Sequence, residues 1–363
     1  MTRRTALIGG GAALLGLGGA AWSVQRQMGS MAEYEAAAAA RRVAAVPPEV
    51  RDLIRMATLA PNGHNTQAWR FRATPGQIAI LPDFTRRTPV VDSDDHHIFV
   101  SLGCAAETLA IAAEASGRAG QIGFDPAGDG TVLFDYTTGG TGEQALSGAI
   151  PRRQSTRADY DGSAVSAADL KLLAAAAANP DVDLALVTNR AQMNRIGDLV
   201  IAGNATQIGD PAFVAELKHW LRFSPNTALR TGDGLFSACS GSPALPDWAG
   251  PLLFDMVYTV KAETKKYAGQ IASSSGLAVF AGAKADPAHW VQVGRSCQRF
   301  ALQATALGLT CSFLNQPVEV AGLRGDLANL IGLPGRRPDI VLRFGRGAAL
   351  PFSARRPVEA VML

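Results

Sequence analysis

Charge, aromatic rings and cysteine are all scarce in this chain. Charged residues make up 18% and aromatics 7% of its 363 residues, and the formal net charge is only +3. No run of lysine and arginine with interleaved aromatics occurs, so nucleic acid is not an expected partner. The four cysteines, Cys104, Cys239, Cys297 and Cys311, form no C-x-x-C pair and have no spacing with histidine that suits zinc. That excludes a dense disulfide framework and leaves each cysteine as a small buried hydrophobe. No G-x-G-x-x-G stands between a strand and a helix, so the fingerprint for tight dinucleotide binding is missing. What is abundant is apolar content, at 47%, in a chain long enough to bury a large core. Two structural units are the natural expectation.

The first residues stand apart from the rest. Thr2-Arg3-Arg4-Thr5 precedes a Gly/Ala-rich apolar stretch from Ala6 to Trp22, followed by Gln25 and Arg26. Residues 1–30 read as a twin-arginine export signal or, if it is retained, as a membrane tether. Either reading puts the folded part outside the cytoplasm, periplasmic or membrane-anchored. Residues 31–46, with the run EYEAAAAARR, read as an Ala-rich spacer helix or an anchoring first helix.

A first unit is expected over 47–136. Its helix starts at Pro47-Pro48 and runs to about Leu59, with Val50, Leu53, Ile54 and Ala57 on one face. Strands are expected at 69–72, 77–81 and 132–136, and a helix at 99–116 closed by Gly117. The linker 137–150 opens with TTGGTGE. A second unit over 151–363 repeats the order: helix 167–178, strand 183–188, strand 277–281, helix 287–307, strand 339–344. Residues 190–265 have no counterpart in the first unit and read as a lid insertion. The segment 101–117 aligns without gaps on 292–308, with Gly103 on Gly294, Ala113 on Ala304 and Gly117 on Gly308, which suggests an internal duplication.

Three segments carry chemistry. In the first, Ala60-Pro61-Asn62-Gly63-His64-Asn65-Thr66-Gln67-Ala68-Trp69-Arg70-Phe71, Pro, Asn and Gly suit a tight turn presenting backbone amides, and the Asn65 and Gln67 amides can pair with a heteroaromatic edge. In the second, Arg152-Arg153-Gln154-Ser155-Thr156-Arg157, guanidinium and hydroxyl groups suit a phosphate dianion, although a solvated surface turn has the same composition. The third is Arg355-Arg356-Pro357 near the carboxyl end. Asp92-Ser93-Asp94-Asp95-His96-His97 offers metal-ligand types, but neighbouring side chains diverge, and an N-terminal helix turn is the expectation there, with no metal.

The first segment resembles the A-P-S-x-x-N-x-Q-P-W-x-F signature of the nitroreductase superfamily, with Asn62 for Ser and Ala68 for the second Pro. The second resembles that family's R-R-S-x-R-x-F segment, and the third its basic C-terminal tail. Together with the export signal, the arrangement most resembles the Acg-type FMN-binding proteins. The resemblance implies an α+β, nitroreductase-like fold made of two fused half-units forming an intramolecular pseudo-dimer, with one FMN. Pro61, Asn62, Gly63, Asn65 and Gln67 would meet the ring, as would Asn315 and Gln316. Arg152, Arg153, Gln154, Ser155, Arg157, Arg355 and Arg356 would meet the phosphate and the polar edge. His64, Trp220, Arg222 and Asp233 are the expected substrate or lid contacts. The flavin itself would carry the chemistry, from a reduced donor to a nitroaromatic or quinone-like acceptor, with no protein nucleophile. An FMN-sequestering protein without turnover is the alternative. The implied partner is a small molecule, and the chain is expected to be a monomer or loose dimer.

Overall fold

A computed structural model describes residues 27–139 and 144–363. The export-signal reading and the core of the Gly/Thr linker lie outside the described residues. The first helix, α1 (Met31–Ala40), begins where the Ser30 hydroxyl accepts from the Glu33 amide. Of the two readings of this segment, a spacer or an anchoring first helix, the structure has it docked. Tyr34 is fully buried against Phe236, its hydroxyl donates to the Phe352 carbonyl at 2.8 Å, and it accepts from the Ala354 amide at 2.9 Å.

The first half then builds α2 (Val50–Ala57), a hairpin of β1 (Trp69–Thr74) and β2 (Gln77–Pro82), the long α3 (His96–Ala115), β3 (Gly120–Asp125) and β4 (Thr131–Tyr136). Its sheet is antiparallel in the order β1-β2-β4-β3. β3 was not expected, because GQIGFD has two glycines and little alternation, and it lies exposed at the sheet edge. Trp69, Phe71, Ile78, Ile80 and Phe134 are buried beneath α3. That helix is long and apolar enough to cross a bilayer, but its apolar surface serves the core.

The second half follows with α4 (Gln144–Ala149), α5 (Ala167–Ala176), β5 (Val182–Val187), α6 (Arg190–Ile208), α7 (Pro211–Trp220), β6 (Leu221–Arg222), α8 (Pro225–Thr231), β7 (Leu235–Phe236), α9 (Gly250–Val257), α10 (Val260–Ala272), β8 (Gly276–Gly282), α11 (Pro287–Ala306), β9 (Thr310–Phe313), α12 (Gln316–Glu319), α13 (Arg324–Leu330) and β10 (Ile340–Gly345). β5-β8-β10-β9 form a second antiparallel sheet, and β6 pairs with β7 alone. β8 and β10 are buried along their whole length, which explains their unbroken apolar runs. Phe300 of α11 sits edge-on between Phe280 and Phe344, at 5.8 and 5.6 Å. α6 is not a lid element: Met193, Ile196 and Val200 share a core with Ile271 of α10 and with Leu277, Val279 and Val341 of the sheet. The covering insertion is therefore the shorter stretch from α7 to the start of α10.

The two halves meet where α3 and α11 cross. A Cβ on Gly103 would collide with the Val291 carbonyl, and one on Gly294 with the Val100 carbonyl, both far closer than the 3.0 Å real Cβ atoms keep. The matched glycines of the two segments are thus the contact that lets the helix backbones touch. The chain's last residues cross back over this boundary. The Phe71 amide donates to the Val361 carbonyl and the Leu363 amide to the Phe71 carbonyl, so the tail lines the free edge of β1 and buries Val358 and Val361 in the first half's core.

Gly294→Ala should lower stability by about 2 kcal/mol or more, the cost of forcing a methyl group into a close-packed contact. Gly148→Ala, with nothing near the added methyl, is the control and should change the melting temperature little. Thermal unfolding of the two variants checks this, and equal melting temperatures would contradict it.

Candidate functional site

Two adjoining hollows lie between the halves. The larger, about 220 Å³, is bounded by Pro61, Asn62, Gly63 and His64 of the turn after α2, by His97, Ser101 and Cys104 of α3, and by Phe313, Asn315 and Gln316 after β9; Phe213, Leu217, Leu235 and Tyr258 come from the covering insertion. The smaller, about 40 Å³, is bounded by Arg42, Asn65, Arg153, Gln154, Ser155, Ser353 and Arg355. Pro61, Asn62, Arg157 and Leu235 belong to both walls.

The turn is shaped by backbone strain that the sequence can hold. His64, Asn65 and Gln67 have φ of 48°, 54° and 53°, a region Asn and His enter more readily than most side chains. The Asn62 carboxamide oxygen accepts from the Gln67 amide at 2.8 Å and closes the loop. The sequence suggests that the Asn65 and Gln67 amides meet the ring; in the structure Asn65 borders the smaller hollow, but both amides are spent on other parts of the chain. Asn65 Nδ2 donates to the carbonyls of Gly234 and Ala354 while its Oδ1 accepts from Arg355, and Gln67 Nε2 donates to the Gly232 carbonyl while its Oε1 accepts from the Arg356 amide. Both side chains are buried and serve as ties from the turn to the insertion and to the tail. Where such carbonyls and amides need partners, they are the nearest polar groups.

The arginines divide. Arg152 is exposed and donates to the Gly148 carbonyl, and Arg356 donates to the Ala360 carbonyl, so neither faces a hollow. Gln154 borders the smaller hollow but exchanges hydrogen bonds with the Leu350 backbone at 2.8 Å in both directions. Arg153 and Arg355 are 5% and 6% exposed, and Arg42, which sequence reading passed over at the end of the Ala-rich segment, is 7% exposed. All three donate to backbone carbonyls: Arg42 to Pro151 and Arg153, Arg153 to Leu59, Arg355 to Thr58, Leu59 and Ala60. Among the described residues none of these three, nor Arg157, has a carboxylate partner. Burial followed by the nearby Arg153 charge pushes Arg355 down to about 9, and burial with the charges of Arg355 and Arg153 pushes Arg42 down as well. Like charges held in low dielectric without a counter-ion form a cationic hole.

The larger hollow has a different character. Asn204 Nδ2 and Gln316 Oε1, both in its wall, are buried without a hydrogen-bond partner. Gln316 Nε2 donates to the Tyr267 hydroxyl at 2.7 Å, and Asn315 Nδ2 lies 3.2 Å from His97 Nε2 while its Oδ1 accepts from the Val341 amide. His97 Nδ1 lies 3.2 Å from Asp92 Oδ1, whose carboxylate also accepts the His97 backbone amide and so caps α3. Burial, the largest single influence, pushes the His97 pKa down, but the charge and hydrogen bond of Asp92 together with the Glu319 charge make the net shift upward. His64 goes the other way, to about 4, through burial and the nearby charges of Arg157 and His97. Asp92, His96 and His97 bring ligand-type atoms within 4.8 Å of one another, yet His97 Nδ1 faces Asp92, and His96 Nε2 lies 2.9 Å from Asp339.

Trp220, Arg222 and Asp233, expected as lid contacts to substrate, border neither hollow. Asp233 pairs with Arg222 and with Arg86, and the guanidinium groups of Arg86 and Arg222 lie over the Trp220 ring at 5.4 and 6.0 Å. This cluster fastens the insertion to the first half. The insertion's side chains that do face the larger hollow, such as Phe213, Leu217 and Tyr258, carried no signal beyond apolar helix periodicity.

The pattern of the family described as "Nitroreductase family" matches residues 150–347, more than half of the chain, and the chain belongs to that family. It is 26% identical over 339 residues to the Mycobacterium tuberculosis protein named "Putative NAD(P)H nitroreductase Rv3131", covering 86% of this chain and 90% of that one. It is 23% identical to the same organism's "Putative NAD(P)H nitroreductase acg", covering 86% and 94%. Among solved structures, a nitroreductase with bound FMN from Desulfitobacterium hafniense is similar at 16% identity and a TM-score of 0.37, over 59% of this chain and 95% of that one. The FMN-dependent nitroreductase NfnB of Mycobacterium smegmatis, in complex with NADPH, is similar at 14% identity and a TM-score of 0.37, over 56% and 88%.

In the ligand-free protein the His97 imidazole should titrate above the ordinary 6.5, and Asp92→Asn should lower its midpoint, because burial is then opposed only by Glu319. The sign for stability follows: His97 contributes fully below pH 6.5 and loses that contribution as pH rises through its raised midpoint. NMR titration of the five histidines checks this. A His97 midpoint indifferent to Asp92→Asn would contradict it.

Proposed function

We propose that the protein binds one FMN and acts as a nitroreductase-like oxidoreductase, taking electrons from a reduced donor to a nitroaromatic or quinone-like small molecule. The observation that carries this is the set of buried guanidinium groups of Arg42, Arg153 and Arg355, joined by Arg157, around the smaller hollow with no carboxylate to neutralise them. A phosphate dianion is the complement such a hole lacks, and bidentate charge-assisted bonds to Arg suit it. The unpartnered polar atoms of Asn204 and Gln316 in the adjoining hollow fit a flat heteroaromatic group carrying its own donors and acceptors. When bound, FMN supplies two-electron transfer.

This chain's residues then have separable tasks. Arg42, Arg153, Arg157, Arg355 and Ser155 hold the phosphate. Asn62, Gly63, Cys104 and Asn315 bound the space for the ring. Phe213, Leu217, Leu235 and Tyr258 exclude water. His97 stands in the wall of the larger hollow with its Nδ1–H toward Asp92 and its Nε2 accepting from Asn315 Nδ2, so the pair fixes the Asn315 side chain beside the space for the ring.

The pairing of one turn from the first half with arginines from the second supports reading the fold as an intramolecular pseudo-dimer with one surviving site. The matched segments that cross at Gly103 and Gly294 support the same reading. Such a fusion needs no second chain to complete the site, in keeping with a monomer or loose dimer. The twin-arginine motif supports export and a location outside the cytoplasm, with the apolar stretch as a tether if it is retained. A second reading, FMN sequestration without turnover, is favoured by one observation: the insertion from α7 to α10 roofs the larger hollow and limits a substrate's approach.

The absorption spectrum of the purified protein separates these. Flavin bands that bleach on anaerobic addition of NADH or NADPH and return with a nitroaromatic or quinone support turnover. Bands that persist support sequestration, and no bands even after FMN is supplied would contradict both. Arg153→Ala should weaken FMN binding by about 1.5–3 kcal/mol. His97→Ala, which leaves the Asn315 amide without its acceptor, should weaken FMN binding by about 1 kcal/mol in the same titration, and unchanged affinity would contradict a role for the pair in shaping the ring space.

A further inference from the structure

Among the described residues, the covering insertion carries the largest cluster of exposed large apolar side chains. Trp248, Leu252, Met256 and Val257 are 68%, 63%, 74% and 64% exposed, and Leu253 and Val260 flank them. The spacing 248, 252, 256 and 253, 257 puts these side chains on one side of α9 and its ends. The other side is anchored: Gly250 packs on the Phe223 ring, and Phe254 stacks on Tyr258 at 4.5 Å. Asp255, the charge within α9, is neutralised by Lys218. Beyond the patch, Lys261 and Lys265 are exposed and have no carboxylate partner among the described residues. Six large apolar side chains gathered on one face, with a basic border, are a surface that water does not favour.

The start of the described chain lies beside this face. The Gln27 carbonyl accepts from Asn226 Nδ2 at 3.0 Å, and Gly29 sits against Asn226. Next to Asn226, Thr227 Oγ1 donates to Asp247 at 2.7 Å, as does Ser224 Oγ at 2.9 Å, and Trp248 is the following residue. The apolar stretch from Ala6 to Trp22 ends five residues before Gln27, a reach of about 18 Å at full extension. Wherever that stretch inserts, Gln27 lies within this reach of it, and the contacts through Asn226, Thr227 and Asp247 lead from Gln27 to Trp248 at the start of the α9 face.

We infer that the α9 face, bordered by Lys261 and Lys265, docks on the surface of an anionic lipid bilayer, the one that holds the apolar N-terminal stretch. Trp248 suits the headgroup level, where an amphipathic ring with one polar atom is favoured. Leu252, Met256 and Val257 enter the acyl boundary, and the two lysines meet anionic headgroups. Tyr258, at the end of the same helix, borders the larger hollow, so docking lays the roof of that hollow against lipid. This inference rests on the patch and the chain's path, not on the flavin reading.

The test uses the full chain with vesicles of phosphatidylcholine and phosphatidylglycerol. An environment-sensitive fluorophore on Leu252→Cys should shift to the blue on vesicle addition and be quenched by spin-labelled lipid. The same label on Asp129→Cys, on the exposed turn between β3 and β4, should do neither. Leu252→Asp combined with Met256→Asp should lower vesicle partitioning about tenfold with little change in melting temperature. A label at 252 that stays in water while the protein is vesicle-bound would overturn the inference, since the N-terminal stretch would then be a tether alone. So would a label already shielded without vesicles, which would mean that residues 6–22 or a second copy of the chain covers the face.

Discussion

The contact on which the two halves depend is between two helix backbones. α3 and α11 touch at Gly103 and Gly294, where any side chain would strike the opposite helix's carbonyl groups. Each helix is also the main support of its own sheet, through Trp69, Phe71 and Phe134 on one side and Phe280, Phe300 and Phe344 on the other. Bringing the helices together therefore sets both sheets, and with them the two edges of the gap where the hollows lie. The tail reinforces this by returning from β10 to pair with β1, so each half is partly built from the other's chain. Side chains at this seam act across the boundary by default.

Arg355 shows what that geometry does. Its guanidinium donates to the last carbonyls after α2 and to Asn65, and so fastens the tail to the turn that the sequence singled out. In the same step it is buried beside Arg153 and Arg42. Desolvating several like charges without a counter-ion is costly, and carbonyl oxygens offset only part of it. Such a cluster at the edge of a hollow is the basis for the proposal that an anion binds there. The Asp92–His97 pair is the opposite electrostatic choice a short distance away, a carboxylate that holds a proton on an imidazole facing the larger hollow.

Much of the fold was legible because its strongest signals are local. Pro at the helix starts, Gly after α3, and apolar runs in β8 and β10 each have one economical structure. β3 and β9 were not legible: one is a glycine-containing edge strand and the other has four residues. The chemistry-bearing segments were found, but not the direction of each side chain. Asn65 and Gln67 look like ligand-facing amides in a motif, and only the fold reveals the carbonyls of Gly232, Gly234 and Ala354 that claim them. Arg152 and Arg153 are neighbours in sequence, yet one is exposed and the other buried, because a residue's place on a turn decides which face it meets. Arg42 had no motif at all; it counts only because α1 docks where it does.

The central claim is that the buried arginines exist to hold a phosphate. Calorimetric titration of the ligand-free protein with FMN and with riboflavin, which share the ring and differ in the phosphate, tests it most directly. The account predicts that FMN binds at least a hundredfold more tightly, and that Arg355→Met together with Arg153→Met removes most of that difference. Equal affinity for the two flavins would contradict it.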